Sequence, residues 1–108
     1  MEMVNQYDIY WVNLDPTIGY EIKKTRPCVV VSPDELNKWL GTVLVAPMTS
    51  SIKDYPFRSS CMFDEKRGSI AIDQMRCTDK SRLLKKGGSL TYKEIKELKA
   101  VLEEMLIQ

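Results

Sequence analysis

The sequence predicts a small, mainly β domain in which short strands form a barrel-like sheet, with short helices and one longer helix at the C-terminal end. Short apolar or aromatic segments recur at intervals of roughly 10–15 residues, as in small sheets and barrels. Only the segment after Thr91 keeps a helical apolar period over several turns. A chain of 108 residues has room for one domain, so residues 1–108 are expected to fold as a single unit.

Two strands are predicted in the N-terminal third. Tyr7–Leu14 is aromatic and β-branched, and the turn Asp15-Pro16-Thr17 ends it because proline cannot donate to a sheet ladder. The segment Thr17–Lys24 has no apolar period and is predicted to be a long loop. Cys28–Val31 is a short apolar run, typical of a buried strand.

A short helix and a third strand follow. Ser32-Pro33-Asp34-Glu35 is a helix-start pattern, with Ser32 as the cap and proline in the first turn. Gly41 is expected to end this helix. Thr42–Met48 is predicted to be a strand whose end lies at a sheet edge, because it contains Pro47.

The C-terminal half is predicted to contain a strand pair, a turn and the long helix. Arg58–Phe63 and Ser69–Met75 form the pair, joined across Asp64–Gly68, and Gly87-Gly88 is expected to form a turn. Thr91-Tyr92-Lys93-Glu94 is a capping box that opens the helix. The apolar stripe of this helix is expected to be core or dimer surface and consists of Ile95, Leu98, Val101, Leu102 and Met105.

Composition excludes several classes of protein. There is no histidine, which rules out a Ser-His-Asp triad and a histidine-based metal site, so neither a metal nor a cofactor is expected. The three cysteines, Cys28, Cys61 and Cys77, are widely spaced and fit a reducing cytoplasm better than a disulfide framework. No apolar run is long enough to span a membrane, and the start lacks signal-peptide character.

Charge is nearly balanced overall but unevenly distributed. The net charge of +1 is too small for a general nucleic-acid binder. Five basic residues lie between Arg76 and Lys86 against one acid, Asp79, and Lys23, Lys24 and Arg26 form a second basic group. On charge alone, each group is also explained by a solvated loop.

Polar residues that suit phosphate chemistry lie where strands are predicted to end. Arg26 precedes an apolar strand, Thr49 and Ser50 follow another, and Asp73 and Gln74 end a third. Simpler explanations are a surface ion pair for the arginine, a turn cap for the hydroxyls and an edge strand for the Asp-Gln pair. Composition and spacing alone favour these simpler explanations, and the shared position at strand ends adds some support for a functional site.

Three motifs in order carry a family resemblance over nearly the whole chain. They are Asp15-Pro16-Thr17-x-Gly19-x-Glu21 followed by Thr25-Arg26-Pro27, then Pro47-x-Thr49-Ser50, then Asp73-Gln74-x-Arg76-x-x-Asp79. Each is weak alone, but their order and spacing resemble the MazF/Kid/PemK family of type II toxin–antitoxin endoribonuclease toxins.

The resemblance implies a homodimeric SH3-like β-barrel of the CcdB/Kid/MazF type, with a C-terminal α-helix and an RNA groove. It implies sequence-specific, metal-independent cleavage of single-stranded mRNA in the cytoplasm, which inhibits translation and growth. The 2′-hydroxyl would attack the adjacent phosphate and leave a 2′,3′-cyclic phosphate and a 5′-hydroxyl. The implied partner is an antitoxin whose flexible, acidic C-terminal tail lies in the RNA groove.

Carried over by position, Arg26 and Thr49 would be the central catalytic pair, and Asp73 would accept the 2′-hydroxyl proton. A guanidinium stays charged and offers a planar fork of donors to phosphate oxygens. Substrate contacts are implied for six further residues: Tyr20, Lys23, Lys24, Ser50, Gln74 and Arg76. Base readout is expected to depend on the loops Thr17–Lys24 and Ser50–Pro56.

Two departures from the family pattern matter. Tyr20 stands where some members carry a histidine, and Ala71 stands where Kid-type members carry an arginine. A general acid at that second position is therefore absent, and electrostatic stabilisation by Arg26 is expected instead. Two alternatives stay open: a CcdB-type toxin that binds gyrase on the same fold, and a non-catalytic barrel that binds RNA or a peptide.

Overall fold

The computed structural model describes residues 3–50 and 56–107. Within these residues the chain forms seven strands, two α-helices and two 3₁₀ turns. The strands are β1 (Asp8–Asn13), β2 (Thr25–Val30), β3 (Thr42–Thr49), β4 (Arg58–Phe63), β5 (Lys66–Ala71), β6 (Arg76–Asp79) and β7 (Leu83–Ser89). The helices are α1 (Asp34–Trp39) and α2 (Tyr92–Leu106), and the 3₁₀ turns are Ile72–Gln74 and Lys80–Arg82. The predicted base-readout loop Ser50–Pro56 falls largely on residues 51–55, outside the described part of the chain.

The strands form one strongly curled antiparallel sheet with β3 at its centre. The hydrogen-bonded order is β4-β5-β3-β2-β1-β7, and β6 also pairs with β3. On one side β3 pairs with β2, and on the other it pairs first with β6, over Thr42–Val45, and then with β5, at Met48 and Thr49. This change of partner along β3 bends the sheet into a half-barrel.

Apolar side chains cover both faces of the curled sheet. Val29 and Val31 belong to a cluster with Ile9, Ile70 and Leu98. Their sequence neighbour Val30 points the other way, into a second cluster that also contains Val12, Val45 and Leu83. Because successive side chains of a strand face opposite sides, an apolar run such as Cys28–Val31 supplies both clusters. The predicted buried strand is confirmed.

The curl brings the two edges of the sheet together. The ring of Phe63, at the end of β4, meets Trp11 of β1 edge-on, with 5.6 Å between ring centroids. A Cβ on Gly87 of β7 would lie 3.0 Å from two atoms of the same Phe63 ring. A side chain at this position would therefore crowd the ring, and Gly87 gives Phe63 room at the closed sheet.

The C-terminal helix packs on the first cluster as the sequence predicts. Thr91 accepts from the Glu94 amide, and the Glu94 carboxylate accepts from the Thr91 amide, which completes the capping box. Leu98 is fully buried, and the rest of the predicted stripe packs against the core.

Four local predictions are wrong. Pro47 lies in the best-connected strand and not at an edge, in the gap between the β6 and β5 ladders. Gly87 and Gly88 lie within β7, where the pairing with β1 shifts register. The strand predicted over Ser69–Met75 begins earlier, at Lys66, after a two-residue turn with positive φ, and ends at Ala71.

The fourth concerns Ser32, which does not cap α1. The cap position is Pro33, without a side-chain hydrogen bond. The Ser32 hydroxyl instead donates to the Asn37 side chain at 2.5 Å and accepts from the Leu44 amide at 3.1 Å. The buried serine therefore ties α1 to β3.

Candidate active site

Arg26 and Thr49 come together because β2 and β3 are antiparallel. The ladder between them runs from Val30–Val45 to Cys28–Pro47. Arg26 lies two residues before Cys28 in β2, and Thr49 lies two residues after Pro47 in β3, so both follow the same end of this ladder. The two residues that the motifs single out therefore meet at one end of the β2–β3 pair.

Both residues line a cavity of about 180 Å³, which we call the cationic cavity. Its described lining is Arg26, Pro27, Met48, Thr49, Ser50, Cys61, Phe63, Lys66, Arg67 and Gly68. Three of these side chains carry a positive charge, and none of the described lining residues is acidic. Such a cavity attracts an anion.

Arg26 is half-buried and anchored at one nitrogen. Its Nε donates to the Lys23 carbonyl at 3.0 Å, and within the described residues its two terminal nitrogens have no hydrogen-bond partner. The anchored stem fixes the guanidinium, while the terminal N–H groups remain available to phosphate oxygens.

Thr49 is held by close contact with the β4–β5 hairpin. It pairs with Ser69 in β5, and an added Cβ on Gly68 would lie only 2.6 Å from the Thr49 carbonyl oxygen. Glycine at this position is what lets β5 approach the Thr49 backbone so closely.

A neighbouring cavity of about 390 Å³, which we call the loop cavity, holds most of the other predicted residues. Its described lining is Ile18, Tyr20, Glu21, Ile22, Pro47, Asp73, Gln74, Met75 and Arg76. Among these, two carboxylates accompany a single cation. The predicted site is therefore divided between two cavities of different charge.

Asp73 is paired with an arginine that the sequence analysis did not single out. Arg58 Nε and one terminal nitrogen lie 3.1 and 3.3 Å from the two carboxylate oxygens of Asp73. The Arg58 side chain is 10% exposed and that of Asp73 is 37% exposed. In the β4–β5 ladder Arg58 lies opposite Ala71, so the guanidinium beside Asp73 comes from the adjacent strand.

Gln74 and Arg76 bind the backbone of the segment that follows β1. The Gln74 side chain accepts from the Ile22 amide at 2.6 Å and donates to the Tyr20 carbonyl at 3.3 Å. Arg76 donates to the Leu14 carbonyl at 3.2 Å. Both side chains hold the loop from within, and contact with RNA stays a prediction for them.

The last residue of the third motif, Asp79, has a local role. Its carboxylate accepts from the amide and the hydroxyl of Ser81, and these bonds lower the pKa of Asp79. This caps the 3₁₀ turn from which Arg82 donates to the carbonyls of Asn13 and Asp15. The turn thus fixes the other end of the same loop.

The remaining predicted contacts lie on the surface around the cavities. Tyr20 is fully exposed at the loop cavity, and Ser50 is exposed at the cationic cavity. Lys23 and Lys24 are exposed beside Arg26 without lining either cavity. Their binding of substrate stays a prediction.

Cysteine chemistry does not fit the cationic cavity, although Cys61 lines it. Burial raises the pKa of Cys61 to about 12, and the charge of Glu94 contributes in the same direction. Burial also raises the pKa of Cys28 to about 12, against the opposing effect of Arg76 and Arg26. Near neutral pH both are thiols, and a thiol is a poor nucleophile compared with a thiolate.

Residues that sequence reasoning missed are Phe63, Lys66, Arg67 and Gly68 in the cationic cavity, and Arg58 beside Asp73. The dibasic pair Lys66-Arg67, directly after a short turn, was visible in the sequence, but only the strand register places it at the cavity.

In the described part of the chain, no group of three or more His, Cys, Asp or Glu side chains is arranged to hold a metal ion. No helix in residues 3–50 and 56–107 has the length and apolar character of a membrane span.

Comparison with known proteins gives a consistent result. Residues 5–106 match the family described as "PemK-like, MazF-like toxin of type II toxin-antitoxin system". The chain is 33% identical over 110 aligned positions to the "Endoribonuclease toxin MazF" of Escherichia coli K12, covering 96% of this chain and 99% of the relative.

Solved structures agree with the fold. MazF from Deinococcus radiodurans superposes with a TM-score of 0.86 at 25% identity, over 100% of both chains. A mycobacterial endoribonuclease in complex with its cognate antitoxin gives a TM-score of 0.80 at 17% identity, over 95% of this chain and 94% of that chain. The mainly β fold with a C-terminal helix, expected from the motifs, is confirmed.

Proposed function

The chain belongs to the PemK-like, MazF-like family of toxins from type II toxin–antitoxin systems, and we propose that it cuts single-stranded RNA by attack of a ribose 2′-hydroxyl, without a metal ion. The motif resemblance is thereby confirmed at the level of the family. The protein is an endoribonuclease toxin; the cleavage chemistry and the residue roles are the proposal.

One observation carries it: Arg26 and Thr49 line the same cavity, and the described charged residues of that cavity are all cations. Phosphodiester cleavage passes through a state with additional negative charge on the phosphate oxygens. Fixed donors aimed at that charge stabilise it more than they stabilise the substrate. A guanidinium and a hydroxyl at one site supply such donors.

In the proposed reaction the 2′-oxygen forms a bond to the adjacent phosphorus while the bond from phosphorus to the 5′-oxygen breaks. The terminal N–H groups of Arg26 and the Thr49 hydroxyl donate to the non-bridging oxygens. The leaving 5′-oxygen takes up a proton, so the products are a 2′,3′-cyclic phosphate and a 5′-hydroxyl.

Asp73 is the proposed acceptor of the 2′-hydroxyl proton. Its carboxylate faces the loop cavity and is oriented by the two-point contact with Arg58. A carboxylate suits this role when it is held within reach of the hydroxyl. RNA that crosses from the cationic cavity to the loop cavity would pass both groups.

Substrate binding is assigned to the exposed residues around the two cavities. Lys23, Lys24 and Ser50 would contact phosphates, while Tyr20 offers an exposed ring on which an unpaired base can stack. Gln74 and Arg76 would meet RNA at the loop cavity. Recognition of a specific cut sequence would then depend on the shape of the loop after β1.

Partners and location follow from the family. We propose that a cognate antitoxin inhibits the protein by laying a flexible acidic tail over the cationic cavity, where it competes with RNA. We also propose a homodimer in the cytoplasm. Exposed apolar side chains support a self-association surface, because Leu106 and Ile107 are 61% and 76% exposed beside a largely apolar groove.

Binding to gyrase without cleavage is the competing reading. The convergence of Arg26 with Thr49 favours RNA cleavage, because a protein-binding toxin has no need for a phosphate-directed pair. A DNA supercoiling assay with pure gyrase gives the direct comparison, and inhibition without RNA cutting would support the competitor.

The test of the chemistry is cleavage of a long RNA in EDTA, with and without one deoxyribose 5′ of the mapped cut. Cleavage is expected to persist in EDTA, to stop at the deoxy position and to yield cyclic phosphate ends on mass spectrometry. Cutting at the deoxyribose would show that the nucleophile is not the 2′-hydroxyl, and loss of activity in EDTA would show that a metal is required.

A further inference from the structure

Two cations of the cationic cavity lie outside the sequence motifs. Lys66 and Arg67 are the first residues of β5, directly after the turn formed by Asp64 and Glu65. Both side chains are exposed, and both border the cavity that contains Arg26 and Thr49.

We propose that Lys66 and Arg67 form a second phosphate-binding subsite, which holds the RNA phosphate next to the one that is cleaved. The inference rests on the proposed function, since it takes RNA as the occupant of the cavity. It adds a binding site on the β4–β5 hairpin, which is separated by β3 from the strand that carries Arg26.

Lys66 and Arg67 differ from two other basic side chains of the sheet in their ion pairing. Arg58 and Lys86 each form an ion pair, with Asp73 and Asp8 respectively. Within the described residues neither Lys66 nor Arg67 forms one, and the turn carboxylates of Asp64 and Glu65 do not line the cavity. Cations gathered without a carboxylate repel one another, and a bound polyanion relieves that repulsion.

The sheet register orients the two side chains differently. Lys66 lies opposite Phe63, and cross-strand partners share a face of the sheet. Because Phe63 lines the cationic cavity, Lys66 faces into it. Arg67 lies opposite Met62 and borders both this cavity and a depression next to α2, so the larger share of binding is assigned to Lys66.

The backbone of the hairpin holds the proposed subsite next to Thr49. Gly68 follows Arg67 directly, and its Cα sits so close to Thr49 that an added Cβ would be 2.6 Å from the Thr49 carbonyl oxygen. Any RNA whose scissile phosphate reaches Thr49 carries a neighbouring phosphate along the same strand. That neighbour is the group which the hairpin cations would meet.

The experiment measures binding of an RNA that cannot be cut because it carries deoxyribose 5′ of the cleavage site. Fluorescence anisotropy gives the association constant of the wild type, of Lys66→Gln/Arg67→Gln and of Lys38→Gln/Lys96→Gln. The last variant removes two exposed lysines that lie on α1 and α2, outside the cationic cavity. Its net charge matches that of the hairpin variant.

Each cation that neutralises a phosphate of a single strand contributes about 0.7 to the slope of log K against log salt. Because the subsite holds one phosphate, the hairpin variant is expected to have a slope shallower by about 0.7. Between about 50 and about 200 mM salt the wild type would then lose about 2.6-fold more affinity than this variant. The control variant is expected to keep the wild-type slope, and melting curves confirm that all three proteins are folded.

A second measurement identifies the phosphate. Single methylphosphonates, which carry no charge, replace each phosphate of the RNA in turn. In the wild type, replacement of one phosphate beside the cut is expected to lower the association constant. In the hairpin variant the same replacement should not lower it further. An unchanged slope together with an unchanged profile overturns the subsite.

Two other outcomes are distinguishable. If the hairpin variant binds RNA normally but loses affinity for an Asp/Glu-rich peptide, the surface serves a protein partner and the inference is wrong. If Arg26→Ala still cleaves, the proposed chemistry fails, whereas the binding profile of the uncut RNA still reports on Lys66 and Arg67.

Discussion

The cationic cavity and the loop cavity lie side by side, yet their polar side chains are engaged differently within the folded chain. In the cationic cavity, Lys66 and Arg67 form no ion pair within the described residues, and Arg26 is anchored only through Nε. In the loop cavity, Asp73 is bound by Arg58, and Gln74 and Arg76 bind loop carbonyls or amides.

This difference indicates two roles for polar side chains at a site: binding an incoming anion and fixing the geometry of a loop. Donors without an internal partner gain most from an incoming anion, because binding relieves their mutual repulsion. Donors that already hold backbone groups contribute chiefly by fixing the geometry of a loop. Stabilisation of the charge on the cleaved phosphate should therefore depend on the cationic cavity, and selection of the cut sequence on the loop that Gln74 and Arg76 hold. Asp73 is the one residue of the loop cavity with a proposed part in the chemistry.

The largest effect is expected from Arg26→Ala. Removing the guanidinium should lower kcat by about 10²–10³, the cost of deleting a preorganised donor to a developing negative charge. Arg26→Lys keeps the charge but loses the planar fork, so an intermediate loss is expected. Single-turnover cleavage of a fluorescent RNA measures both.

The fold should survive these substitutions, because Arg26 is only half-buried and its recorded hydrogen bond is to an exposed loop carbonyl. Circular dichroism melting provides the control. Full activity in Arg26→Ala would remove the cationic cavity from the chemistry, and loss of activity through unfolding would leave the arginine with a structural role.

A smaller effect is expected from Gly68→Ala, which tests whether the position of Thr49 matters. The added methyl would meet the Thr49 carbonyl oxygen at 2.6 Å, so β3 and β5 must separate locally. Displacement of a catalytic group by about 1 Å costs up to about 10² in rate, so kcat should fall by about 10 to 10² while KM changes little.

Gly41→Ala is the matched control, since an added Cβ there meets nothing within 4 Å. It is expected to cleave as the wild type does. Equal activity of the two alanine variants would show that the hairpin does not position Thr49.

Local signals in the sequence were sufficient for the elements that depend on near neighbours. The capping box at Thr91 and the continuous apolar run Cys28–Val31 are read from a few adjacent residues, and both predictions hold. Pro47 and Gly87-Gly88 were misplaced because their setting depends on distant partners. A proline is tolerated in the central strand where the ladder changes partner, and Gly87 in β7 leaves space for the Phe63 ring.

In the candidate site too, some residues could be identified from local sequence motifs and others only from the structure. The motifs brought out Arg26 and Thr49, and the fold places both in the lining of one cavity. Lys66 and Arg58 belong to no motif, and their places follow only from the β4–β5 pairing, in which Lys66 faces Phe63 and Arg58 faces Ala71. In a hairpin the turn sets the register. The sequence analysis placed this turn over Asp64–Gly68, whereas Asp64 and Glu65 alone connect the strands, so the register was missed.

The smallest effect on rate, and the sharpest test of the loop cavity, is expected from Gln74→Ala. This change removes the bonds to the Ile22 amide and the Tyr20 carbonyl, each worth about 0.5–1.5 kcal/mol, and frees the loop that presents the Tyr20 ring. Sequencing of fragment ends from a transcript pool should show a broadened cut-site preference, with cleavage at the best site nearly unchanged.

Gln6→Ala is the control. The Gln6 side-chain amide donates to the Val31 carbonyl at 3.0 Å, so this change also removes a bond from a glutamine to the backbone, but Gln6 lines neither cavity. Tyr20→Ala should broaden the cut-site preference in the same way. The double variant should add little to either single change, since both act on the loop that presents the Tyr20 ring.

A uniform loss of cleavage at every site in Gln74→Ala would instead place Gln74 in the chemistry and erase the distinction between the two cavities.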